Sequence, residues 1–145
     1  SWVAAWHFPC VIEKDNSKSM IFGYRAESVI VDCFNEGDVS TGMRVRFTAL
    51  GTVTNPVILN VDTEEFIKLN VTMQTGDVIE VNTKYGSKGA TLTRDGVKYD
   101  YFRKVDVDST FMQLDIGDNN FRYDADGGVN SMEVSIFYDR EYLGV

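Results

Sequence analysis

Met43-Arg44-Val45-Arg46-Phe47-Thr48-Ala49 puts an apolar residue at every odd position and a polar one at every even position. Successive side chains of a strand point to opposite faces, so Met43, Val45 and Phe47 are expected inward while Arg44 and Arg46 face water. The same alternation recurs on either side. After the Asn55-Pro56 break come Val57, Leu59 and Val61, and then Ile67, Leu69, Val71 and Met73 opposite Lys68, Asn70 and Thr72. Gly76-Asp77 turns the chain into Ile79 and Val81. Asp95-Gly96 predicts a type I′ hairpin, because both residues tolerate positive φ, joining Ala90–Arg94 to Val97–Phe102. A strand is expected over Ser109–Leu114, then a loop at Asp115–Asn119 leading to Phe121 and Tyr123. Gly127-Gly128 opens a last strand in which Met132, Val134, Ile136 and Tyr138 face one way and Glu133, Ser135, Phe137 and Asp139 the other.

This pattern amounts to about ten short strands, with no convincing amphipathic helix longer than two turns. Strands with one polar face each need two sheets packed face to face, so the fold class is all-β, an antiparallel β-sandwich. Residues 1–19 differ: Trp2, Trp6, Phe8, Val11 and Ile12 are apolar, Pro9 interrupts any helix, and Asp15-Asn16-Ser17 signals a turn. They are expected to form an N-terminal arm or linker, with the sandwich over 20–145.

The chain has 145 residues, 43% of them hydrophobic and 25% charged, which fits one domain burying roughly two-thirds of its unfolded surface. Aromatics make up 12%, including seven Tyr and nine Phe, which suit strands. A net charge of −8 argues against nucleic acid as a partner, since phosphate binding rests on Lys and Arg. From residue 101 onward nine Asp or Glu face four Lys or Arg. That excess reads as a solvated, repulsive surface, with a basic partner face as the alternative. No stretch approaches the ~18 apolar residues of a membrane span, and no signal peptide is visible. The sequence starts at Ser1 and not at Met, so a piece of a longer protein is expected. Cys33 falls in the apolar run 29–34 and is expected as a buried thiol, though a bridge to Cys10 stays open.

No catalytic, metal or cofactor constellation emerges. His7 is the sole histidine and has no Cys or carboxylate cluster near it, so a structural or surface role is expected. Asp106, Asp108, Asp115 and Asp118 are candidates for a glycosidase pair only by proximity in sequence. They sit in turn-like contexts, where Asp bonds its own backbone. Asp124-Ala125-Asp126-Gly127-Gly128 faintly resembles a calcium loop but lacks the placed bidentate Glu, and a hairpin turn is expected there. Gly86-Ser87-Lys88-Gly89 lacks P-loop spacing and reads as a surface loop. Asn70-Val71-Thr72 matches a glycosylation acceptor, yet falls inside a predicted strand. The aromatics are harder to set aside. Tyr99, Tyr101 and Phe102 crowd one strand, Trp2 and Trp6 sit in the arm, and exposed aromatics anchor proteins or stack on sugars. These five are the candidate partner or glycan contacts.

The order of motifs carries a resemblance. Asn35-Glu36-Gly37-Asp38, Asn55-Pro56 with Val57-Ile58-Leu59-Asn60, Gly76-Asp77-Val78-Ile79-Glu80-Val81, Asp108-Ser109-Thr110-Phe111-Met112-Gln113-Leu114, Gly117-Asp118-Asn119, Ile136-Phe137-Tyr138 and Tyr142-Leu143-Gly144-Val145 follow one another in sequence. Together they resemble the C-terminal domain of the siphophage distal tail protein family, also found in prophage tails, from about Asn35 to the end. The resemblance implies a jelly-roll or galectin-like sandwich at the periphery of a ring-forming hub, acting without turnover. It implies a virion tail tip location, assembly in the bacterial cytoplasm, a part in host adsorption, and other tail or baseplate proteins as partners. The family's ring comes largely from an N-terminal belt domain that no stretch here matches, so a ring oligomer is expected only together with that domain. Pro56 is expected to begin a strand, because it cannot donate inside a ladder. The competing expectation is a carbohydrate-binding module for host cell-wall glycan, since one fold serves both roles. A wall-degrading enzyme has no motif behind it.

Overall fold

Alternating burial builds both sheets of the computed structural model, which describes residues 10–11 and 29–138. The strands are β1 (Cys10–Val11), β2 (Val29–Asn35), β3 (Met43–Ala49), β4 (Val53–Asn60), β5 (Phe66–Lys68), β6 (Thr72–Met73), β7 (Val78–Asn82), β8 (Gly89–Arg94), β9 (Val97–Asp100), β10 (Gly117–Gly127) and β11 (Met132–Tyr138). One sheet runs β1-β11-β3-β7-β8-β9 and the other β2-β10-β4-β5, with β6 also paired to β4. All pairings are antiparallel. The two sheets pack as a sandwich.

The core is the sum of the inward rows. Val45, Phe47, Ile79, Leu92, Val134 and Ile136 come from the first sheet, and Cys33, Ile58, Ile67, Phe121 and Tyr123 from the second. In β3 and β11 every other residue is buried, in the expected phase. Removing one large member leaves a cavity, so Phe47→Ala is expected to cost about 3–5 kcal/mol. The Asp95-Gly96 hairpin forms as expected, with φ of 52° and 79° at its two central residues.

Six expectations give way. Val57, Leu59 and Val61 do not form the inward row; Pro56, Ile58 and Asn60 do. The cause is Asn55, whose φ of 52° resets the alternation after buried Val53. Asn55 holds that left-handed backbone by binding Val71 twice, donating its own N–H (2.8 Å) and accepting at Oδ1 (2.9 Å). Pro56 accordingly lies inside β4 and not at its start. Ser109–Leu114 is no strand, because its backbone bonds go to scattered partners: Thr110 donates to Phe66, and Leu114 and Thr41 exchange bonds. Met112 and Leu114 still bury. Asp124–Gly127 belongs to β10, and the turn comes later, at Gly128 (φ 76°) and a short 3-10 turn over Val129–Ser131. The β9 strand ends at Asp100, leaving Phe102 in a second 3-10 turn, Phe102–Lys104. Asn70 lies between β5 and β6, outside the strand expected around it.

Buried asparagines brace the loops at one end. Asn35 Nδ2 donates to the carbonyls of Val39 and Leu114, and its Oδ1 accepts from Gly37 N–H. Asn119 accepts from Asp115 N–H and donates to the carbonyls of Cys33 and Asp115. Buried amide side chains with this many partners fix a loop conformation at no unpaired polar cost.

Candidate interaction surface

The β9 strand ends the six-stranded sheet, and all four of its residues are exposed. An edge strand offers unpaired backbone groups to a partner. Tyr99 stands opposite Leu92 in register, hence on the inward-facing side. Leu92 is buried, but Tyr99 is 47% exposed because the sheet stops there. Tyr101 is partly buried against the core and donates its N–H to Ala90 at 2.8 Å. Phe102 starts the 3-10 turn, its N–H held by Asp100 Oδ1 at 2.9 Å, and is 51% exposed. The turn leads away from the first sheet, since Asn70 donates to Lys104 and Leu69 bridges Val105.

Three further residues, missed by sequence reasoning, extend this surface. Phe102 stacks on Phe111, with centroids 5.9 Å apart and planes at 28°. The Lys88 ammonium lies 6.0 Å from the Phe111 ring and 5.6 Å from that of Tyr85, itself 89% exposed. The loop 86–89 thus supplies the cation of an aromatic ladder, Tyr85–Lys88–Phe111–Phe102. Each exposed contact contributes only about 0.5–1 kcal/mol. The ladder therefore adds little to stability while presenting aromatic area to solvent. No local signal finds it, because Phe111 meets Phe102 only through the irregular segment that was expected to be a strand. Trp2, Trp6 and His7 lie outside the described residues, as does the side chain of Cys10.

Among the described residues, the four candidate carboxylates do not converge on one cleft. Asp106 accepts from Asp108 N–H (2.9 Å) and Asn70 Nδ2 (3.1 Å), and these bonds, the first foremost, hold its carboxyl below the usual range. That is opposite to what a general acid needs. Asp118 projects from the outer face of β10 near Asp32 of β2, whose carboxyl is raised by desolvation first and by Asp118 next. Asp115 accepts a long bond (3.4 Å) from Ser40. Asp126 is engaged by Asn55 (2.9 Å) and Lys68 (3.6 Å), while Asp124 accepts from Ala125 N–H. Among the described residues no three His, Cys, Asp or Glu gather as metal ligands.

Residues 36–142 match the model of the siphovirus-type tail component, C-terminal domain, and the chain belongs to that family. It is a phage tail component domain with a β-sandwich fold. A search of curated proteins returns no match. Among solved structures, a chain of the phage P2 baseplate in its activated conformation with calcium is similar at 12% identity and a TM-score of 0.47. The similarity covers 76% of this chain and 36% of that one, so this chain spans about a third of the baseplate chain's length.

Proposed function

We propose that this domain is a non-enzymatic, peripheral part of a distal tail hub protein, making protein–protein contacts within the tail tip or baseplate. The family assignment supports a structural role in the tail. The observation that carries the contact reading is the β9 edge, which no described strand pairs, flanked by Tyr99, Phe102 and the Lys88 ladder. Exposed aromatics beside an unpaired strand edge are what a partner protein uses for anchoring and for strand addition. In this reading the domain is assembled with the tail in the bacterial cytoplasm and joins a ring only through a separate belt domain. Cross-linking mass spectrometry on assembled tails tests it: links from Lys88 or Lys98 to another tail protein support the reading, and links confined to this domain refute it.

A second reading, binding of host cell-wall glycan, draws on the same exposed rings, which suit sugar stacking. Cell-wall pull-down lost in Tyr99→Ala or Trp6→Ala favours it over the first. Hydrolysis of purified peptidoglycan that disappears in Asp108→Asn overturns both.

A further inference from the structure

Bonding alternates along the β8–β9 hairpin and sets which backbone groups of β9 face outward. Arg94 and Val97 flank the two-residue turn as a bonded pair, and Tyr101 donates its N–H to Ala90 at 2.8 Å. In an antiparallel ladder every second residue bonds its neighbour, so Val97 and Tyr99 turn their N–H and C=O toward β8. Lys98 and Asp100 turn theirs away, to a side where no described strand pairs. The Asp100 carboxylate takes the Phe102 N–H at 2.9 Å and so ends the row. Side chains alternate as well. Val97 and Tyr99 lie on the core side of the edge, Lys98 and Asp100 on the outer side.

Charge is segregated to the same edge. Residues 84–104 hold six Lys or Arg against two Asp, a net +4 in a chain of −8, so the remainder stands at −12. Arg94 is bound to Asp77. Among the described residues no carboxylate forms an ion pair with the exposed Lys88, Lys98, Arg103 or Lys104. Lys88 lies against the Tyr85 and Phe111 rings, and Arg103 and Lys104 belong to the 3-10 turn that follows β9. Edge lysines by themselves guard a strand against pairing with another edge. That role does not account for Val97, Tyr99 and Phe102, each about half exposed beside them. A guarded edge has no use for apolar area, whereas an occupied one does. A second copy of this chain would set one basic edge against another.

We infer that β9 is extended by an acidic segment of a partner protein, which adds as a further strand with apolar and acidic residues in alternation. The inference rests on the reading of β9 as the contact edge and specifies what that edge takes. The N–H and C=O groups of Lys98 and Asp100 continue the ladder, and apolar side chains of the incoming strand cover Val97 and Tyr99. Its carboxylates meet Lys98 on the outer side and, past the end of the row, Lys88, Arg103 and Lys104. The position facing Asp100 is uncharged, because like charges directly opposite repel.

The test is a ¹⁵N NMR titration of the whole chain with synthetic peptides of about ten residues. The first alternates valine with glutamate, with a single threonine for the position facing Asp100. The second has lysine in place of glutamate, and the third rearranges the first into a valine block and a glutamate block. The first peptide is expected to saturate, to shift the Lys98 and Asp100 amides most, to slow their hydrogen exchange, and to bind at least about tenfold tighter than the other two. Lys98→Pro removes an outward N–H while keeping the bonds to β8, and abolishes binding. Lys88→Gln with Lys104→Gln, both exposed, weakens it severalfold with an unchanged Tm, which keeps the test decisive if the proline variant misfolds. No saturation, equal binding of the lysine or block peptide, shifts centred away from β9, or indifference to the double glutamine variant each overturns the inference. So does tighter binding of N-acetylglucosamine oligomers at the same amides, or self-association of the chain through β9. Cross-links from Lys98 to a neutral or basic stretch of another tail protein leave the contact reading standing and overturn this inference alone.

Discussion

Asp77, one residue before β7, accepts hydrogen bonds from Arg94 at the end of β8, with Nε at 2.9 Å from Oδ1 and Nη2 at 2.6 Å from Oδ2. The carboxylate is buried and also accepts Gln74 N–H at 2.8 Å. This bidentate pair ties the turn entering β7 to the hairpin leaving β8, and so fixes the edge that carries β9. Asp77→Ala leaves the turn without its acceptor and Arg94 without its partner. A loss of about 3 kcal/mol is expected by urea unfolding.

The same pair sets an acid limit. Arg94 foremost, and Gln74 N–H in addition, hold the Asp77 carboxyl below its ordinary value of 3.8, against the opposing effect of burial. The folded state therefore binds fewer protons than the unfolded state. The contribution is complete above the unfolded pKa and fades as pH falls through the lower folded value. Thermal melts of Asp77→Asn between pH 2 and pH 7 should show a flatter acid limb than the parent.

Asp32 behaves in the opposite sense. Its carboxyl is raised by desolvation and then by Asp118, so ionisation opposes folding above the folded pKa and ceases to matter below the unfolded one. Asp118→Asn should raise Tm at pH 7 and leave it unchanged at pH 2. A lower Tm at pH 7 contradicts the pairing.

Gly128 has a φ of 76°, and a Cβ there runs into the carbonyl oxygen of Thr52. The neighbour is backbone and cannot swing aside. Gly128→Ala is expected to cost about 3 kcal/mol or more. Gly96 also has positive φ but open space around it, so Gly96→Ala should cost only about 1 kcal/mol. Paired unfolding curves separate the two.

Phe102→Ala removes an exposed ring whose stacking adds at most about 1 kcal/mol to the fold. If the β9 edge is the contact surface, the same change lowers affinity for the tail partner by about tenfold or more in surface plasmon resonance. Tyr101→Ala, partly buried, should register mainly as lost stability.

Alternation was legible wherever a strand runs straight through the sandwich, as in β3, β7 and β11, because one face meets the core and the other meets water. It failed at Asn55, where a single left-handed residue shifts the phase by one, a conformation that the Asn-Pro dipeptide alone does not announce. It failed again at Ser109–Leu114, where Met112 and Leu114 are buried as in a strand but the backbone bonds to scattered partners. Of the aromatic candidates, Tyr99 and Phe102 are exposed and Tyr101 packs against the core, a difference set by where β9 ends and not by local sequence. The basic β9 edge was not legible, since Lys88 joins Lys98, Arg103 and Lys104 only through its contact with Phe111, which stacks on Phe102.

Both sheets take interior strands from late in the sequence: β10 lies between β2 and β4, and β11 between β1 and β3. Asn119 reaches back 86 residues to Cys33, and Tyr138 reaches 104 residues to Phe34. During synthesis, then, the earlier strands leave the ribosome as two incomplete ribbons whose central partners do not yet exist. Closure waits for Gly117–Tyr138, which makes acquisition of the native state late and slow, as such distant pairings demand. A polypeptide that stalls before residue 117 holds unsealed edges and is a substrate for chaperones or self-association.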